Sequence, residues 1–168
     1  WPALPGCSVF QRIGLCVQSS SGRFAGQACS VILRVANTLV GSNFYEFALV
    51  SSIKSIRCPD PAARHKSSLV IIGDRDKRWV ADQEQRSVLR SRLPGFGRIG
   101  LVGGAVFLAK SAGLERSRRF SVSPELIFAA REEGVCPAKT AFHKDSGIHS
   151  AVNGFAAQRM LIGMISDD

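Results

Sequence analysis

Residues 95–114, GFGRIGLVGGAVFLAKSAGL, constrain the fold more than any other stretch of the chain. Arg98-Ile99-Gly100-Leu101-Val102 is a short apolar run between turn residues, the pattern of a strand buried inside a parallel sheet. Gly103-Gly104 permits a tight bend and a close approach of backbone. Residues 105–109 then open a helix with Ala105, Leu108, Ala109 and Ala112 on one face, and Gly113 stops it. Strand, sharp bend and helix together form the device that holds a nucleophilic Ser or Cys above an α/β sheet. Here the bend reads Val102-Gly103-Gly104, with neither a hydroxyl nor a thiol.

Before and after this stretch, strand and helix patterns alternate. Residues 10–18 read as a first strand, 19–22 as a loop, and 25–40 as a helix with Ala28, Val31, Ile32, Val35, Ala36 and Leu39 at helical spacing. Strands are expected at 44–51, 53–58 and 68–73, and a mostly polar helix at 79–92. A strand at 118–123 is followed by a helix at 125–133, with Pro124 in its first turn. Two short strands at 139–144 and 148–152 flank the turn Asp145-Ser146-Gly147, and residues 155–165 form a closing helix. Residues 1–8 read as a loose lead-in. The alternation predicts one domain spanning 1–168, a three-layer α/β sandwich around a mostly parallel sheet, with its ligand crevice at the carboxyl ends of the strands.

Composition narrows the function classes. No apolar run is long enough for a membrane span, and no signal peptide precedes the first strand. The first residue is Trp1, so a processed form or a cut piece is expected. The net charge of +9 favours polyanions, but the basic residues are spread out, with clusters at 75–78, at Arg86/Arg90/Arg92 and at 116–119, and no nucleic-acid motif accompanies them. Five cysteines without a C-x-x-C pair predict free thiols in a reducing, cytoplasmic compartment.

Other motifs carry less. Gly95-Phe96-Gly97-Arg98-Ile99-Gly100 fits G-x-G-x-x-G, but it precedes a strand instead of following one, so no dinucleotide and no other cofactor is expected. Cys136, His143 and His149 match no compact metal spacing; the two histidines are expected beside an exposed hairpin turn, and Cys136 in a loop is the most accessible thiol. Asn37, late in its helix, is expected either to bond locally near the helix end or to contact a ligand.

Several segments together resemble a known family. Residues 30–41 (SVILRVANTLVG), 45–51 (YEFALVS), 97–114, 118–133 and 145–165 are similar, in order and spacing, to the N-terminal ThiJ/PfpI domain of AraC-type transcription regulators. The resemblance implies a flavodoxin-like, class I glutamine amidotransferase-like fold and a role in sensing a small metabolite. Where enzymes of that superfamily carry the nucleophilic Cys, this chain has Val102 or Gly103; where a His-Trp pair is common it has Ser123-Pro124; and the final turn reads Asn153-Gly154. Neither Val nor Gly can attack a carbonyl, and Ser123 cannot replace an imidazole base. The expectation is a non-enzymatic sensor with candidate ligand-binding residues Val102, Gly103, Gly104, Ser123, Asn37 and Asn153. The resemblance further implies a homodimer, an effector such as a betaine or carnitine relative, and contact with DNA only through a helix-turn-helix domain absent after Asp168. An aromatic box for such an effector would draw on Phe44, Phe107 and Phe155. The alternative is a ThiJ/PfpI-like hydrolase or amidase using a displaced cysteine; a third reading is a purely structural dimerisation domain.

Overall fold

The computed structural model describes residues 11–18, 20–41 and 44–166. The lead-in at 1–8, Phe10 and Cys7 lie outside the described residues. In chain order the elements are β1 (Gln11–Val17), α1 (Ser20–Val40), β2 (Tyr45–Val50), β3 (Ser67–Ile72), α2 (Gln83–Arg92), β4 (Arg98–Val102), α3 (Leu108–Ala112), β5 (Arg119–Phe120), α4 (Ile127–Glu132), β6 (Cys136–Pro137), β7 (Phe142–Asp145), β8 (Ile148–Ala151) and α5 (Gly154–Ser166). The main sheet has the order β2-β1-β3-β4-β8-β7, parallel except for the last pair. The five parallel strands therefore follow the flavodoxin-like order, whose direction reverses between β1 and β3.

Side-chain alternation divides each central strand between two cores. Leu69, Ile71, Ile99 and Leu101 face one layer with Leu89, Leu108 and Ala130 from α2, α3 and α4. Val70, Ile72 and Val102 face the other, with Leu33 of α1 and Met160 and Leu161 of α5. Period-2 burial on a strand covered by helices on both sides gives β3 six buried residues in succession.

The expected elements are present with informative departures. Residues 53–58 are not a strand: a 3₁₀ turn covers Ile53–Ser55. Ile53 and Ile56 are both buried in the same core, and a three-residue spacing puts them on one side of a helical turn but on opposite faces of a strand. α1 begins at Ser20 within the expected loop. α2 begins at Gln83 instead of 79, because Asp82 wins the N-cap: its Oδ1 accepts from Gln85 N at 2.7 Å while Gln85 Oε1 accepts from Asp82 N at 3.1 Å. Trp79 is left in the preceding loop, buried in the core. The strand expected at 118–123 shrinks to β5, which pairs with β6 in a separate two-stranded sheet; Cys136 thus lies in a strand and not in a loop. His149 is buried in β8 and stacks on Phe142 at 6.1 Å, so it is not exposed at the hairpin tip.

At the amino end of the sheet, Asn37 clamps α1 to β2. Its Nδ2 donates to Tyr45 O at 2.8 Å and its Oδ1 accepts from Tyr45 N at 2.7 Å. Replacing Asn37 with Ala strands a half-buried backbone pair and is expected to cost about 1–3 kcal/mol in denaturant unfolding.

Candidate functional site

The bend after β4 carries the geometry of a reactive elbow. Gly103 has φ +59°, in the left-handed region, and settles which residue holds the apical position. A 3₁₀ turn over Gly103–Phe107 leads into α3, every residue of that turn being buried. What differs from a reactive elbow is what lies above it.

The segment after β3, residues 73–79, is laid directly over the bend. Gly104 N donates to Asp74 O at 2.7 Å, Gly73 N to Val102 O at 3.0 Å and Trp79 N to Gly104 O at 3.1 Å. A Cβ at position 103 would stand 2.7 Å from Asp74 O and 3.0 Å from Gly73 O, and one at 104 would overlap Lys77 O. The volume where a nucleophilic side chain would project is thus filled by main chain. Gly104 N–H, a group that could stabilise an oxyanion, already serves the Asp74 carbonyl.

Ser123 fixes the same segment from the other side. It is fully buried, and its Oγ donates to Arg75 O at 2.7 Å. Arg75 Nη2 in turn meets Glu125 Oε1 at 2.6 Å, at the start of the turn that leads into α4. The Glu125 carboxyl is held below its usual range, first by its own backbone N–H and also by the Arg75 guanidinium. Whatever this exposed pair contributes is present above the ordinary glutamate range and fades as pH falls through the lowered value.

Beside the covered bend, a cleft of about 300 Å³ stays open at the carboxyl ends of the strands. Its walls are Phe24, Ala25 and Ala28 of α1, the segment from Ile72 to Arg75, and Asn153, Gly154, Phe155 and Gln158 leading into and along α5. This is the β1/β3 reversal, where open α/β sheets place ligands. Phe24 and Phe155 are 81% and 75% exposed, far more than an aromatic ring on a packed helix needs to be. Asn153 Oδ1 accepts from Ala156 N at 3.0 Å and caps α5 at the edge of the cleft.

The six sequence candidates therefore separate. Asn153 lines the cleft, while Gly103 and Gly104 lie under its neighbouring segment. Ser123 holds that segment from behind, Val102 is buried in the α1/α5 core, and Asn37 is at the far end of the sheet. Of the aromatics, Phe155 lines the cleft, but Phe107 is core and Phe44 packs edge-on against Tyr45 at 4.9 Å. Sequence reading missed Phe24, Asp74, Arg75 and Gln158; Phe24 precedes the expected helix and falls on its apolar stripe, four residues before Ala28, so no local signal marked it.

Among the described residues, no cysteine or histidine lines the cleft. Burial pushes the Cys16 and Cys29 thiols up to about 11, away from thiolate chemistry. Cys58 and Cys136 are exposed. Among the described residues no group of three or more His, Cys, Asp or Glu could hold a metal.

No family model matches the sequence, and no curated protein matches it. Solved structures do. An AraC family transcriptional regulator from Pseudomonas putida superposes with TM-score 0.70 at 18% identity, over 94% of this chain and 91% of that one. A ThiJ/PfpI domain protein from Brachyspira murdochii gives 0.66 at 8% identity, over 93% and 94%. DJ-1 from Schizosaccharomyces pombe gives 0.63 at 12% identity, over 93% and 90%. The chain has the α/β fold of ThiJ/PfpI domains, in its flavodoxin-like strand order.

Replacing Gly103 with Cys is expected to destabilise the domain by about 2 kcal/mol or more, since a side chain is forced into positive φ against two carbonyls. Urea unfolding measures this, and the new thiol is expected to stay unlabelled by iodoacetamide while the protein is folded.

Proposed function

We propose that this chain is the ligand-sensing domain of an AraC-type transcription regulator and works by binding a small metabolite without transforming it. One observation carries the reading: main chain occupies the reactive position above Gly103, while the cleft next to it stays open. The superposition on a regulator over 94% of this chain supports the regulatory role. In the full protein, DNA contact falls to a helix-turn-helix domain outside this chain. A cytoplasmic location follows from that role; among the described residues, no helix is long and apolar enough to cross a membrane.

The cleft's chemistry suits a small cation of the betaine or carnitine type. Phe24 and Phe155 frame its mouth with two rings able to face a quaternary ammonium. Asp74 and Arg75 are the charged residues among the described lining residues, and Arg75 is paired with Glu125. Dimerisation would use α1 and α5, which pack side by side and expose Val31, Val35, Leu39 and Ile162. A bound metabolite touching the ends of both helices would bias their packing, and through it the dimer.

The test is a thermal-shift screen with quaternary ammonium and zwitterionic metabolites, because a ligand of the folded form raises the apparent melting temperature. A saturable rise for at least one of them is expected, reduced about tenfold in apparent affinity by F24A/F155A. A hydrolase using a displaced cysteine would instead label one native thiol far faster than the rest; the expectation here is slow labelling at Cys58 and Cys136 and protection of Cys16 and Cys29. No shift across the panel would overturn the sensing role proposed for the cleft.

A further inference from the structure

On the α2/α3 face of the sheet, away from the cleft between α1 and α5, lies a second cavity, of about 340 Å³. Arg78, Arg86, Arg90 and Lys110 line it, with Glu133 as the one acidic residue among the described residues there. Trp79 and Phe107, both almost wholly buried, form part of its wall. Glu133 is already committed, since Arg78 Nη1 meets its Oε1 at 2.8 Å. Arg86, Arg90 and Lys110 therefore have no acidic partner among the described residues, around one small concavity.

Their guanidinium groups are held in a particular way. Arg86 Nε donates to Ala81 O at 2.9 Å and Arg90 Nε donates to Ser111 O at 3.1 Å. Each bond uses the inner nitrogen and orients the plane, leaving the terminal amino groups of each fork for another acceptor. Arg86 and Arg90 are four residues apart on α2, hence neighbours on one helix face. Like charges at that spacing repel. Lys110, in the last turn of α3, adds a point charge at the same cavity.

We infer that this cavity is a binding site for a small phosphoryl-bearing anion, held by the forks of Arg86 and Arg90 and by Lys110. Paired forks match the oxygens of a phosphoryl group bidentately, and a polyanion relieves the repulsion between the three cations. The volume admits a diphosphate or a small phosphate ester but not a folded macromolecule. The site does not depend on the reading of the cleft, and either can fail without the other.

Inorganic pyrophosphate titrated into the full chain at constant ionic strength, followed by calorimetry, is the test. Saturable one-to-one binding is expected, weakened at least tenfold in R86Q/R90Q. It should be unchanged in R57Q/R119Q, which removes equal charge from exposed positions elsewhere. K110Q, altering an exposed amine, supplies the same readout if the double variant does not fold, with an expected threefold or greater loss. The inference is overturned if R86Q/R90Q binds like the parent, if R57Q/R119Q weakens binding equally, or if citrate binds as tightly as pyrophosphate. Tighter binding of a short DNA duplex, at equal phosphate concentration and lost in the same double variant, would assign the cavity to nucleic acid and overturn it too.

Discussion

Three backbone hydrogen bonds decide the character of this molecule. They join Gly73, Asp74 and Trp79 to Val102 and Gly104, and bring the segment after β3 down onto the bend after β4. Such close main-chain contact needs missing side chains, which Gly73 on one side and Gly103 and Gly104 on the other supply. The contact satisfies donors and acceptors that a buried bend must otherwise leave to water or to a substrate. An architecture suited to exposing a reactive atom is thereby closed at that atom.

The closure explains why neighbouring residues have structural work where an open bend could use them for chemistry. Ser123 spends its hydroxyl on the Arg75 carbonyl, and Arg75 spends its charge on Glu125. Asn153 caps α5. What remains accessible is the region just outside, where α1 and α5 start near the reversal of strand order and two phenylalanines stay largely in solvent. In the sensing role proposed for it, that crevice would hold a molecule by contact and desolvation.

The two faces of the sheet have taken different roles. One is covered by α1 and α5, which pack on each other and border the cleft. The other is covered by α2, α3 and α4, where arginines gather around a small cavity. A net charge of +9 spread along the sequence says little about function, but the fold collects part of it at one place. Concentration of charge, more than its total, sets what a surface can recognise.

By itself, the sequence determined the layered α/β architecture, because period-2 and period-3.6 patterns of apolar residues state which faces must be buried. It also determined that the bend holds no nucleophile, since Val102-Gly103-Gly104 contains none. Local reading went astray where short segments compete. Ile53 and Ile56 suited a strand by propensity but share one side of a turn, and Asp82 moved the start of α2 past Trp79. Tertiary structure alone decided that Gly103 is the apical residue, that the 73–79 segment covers it, and that Asn37 is spent on Tyr45 at the wrong end of the sheet for the crevice. It alone paired Phe24 with Phe155 across more than a hundred residues, and Arg86 and Arg90 with Lys110. Periodicity records burial along one element; which elements become neighbours depends on strand order and chain crossings, which no local pattern encodes.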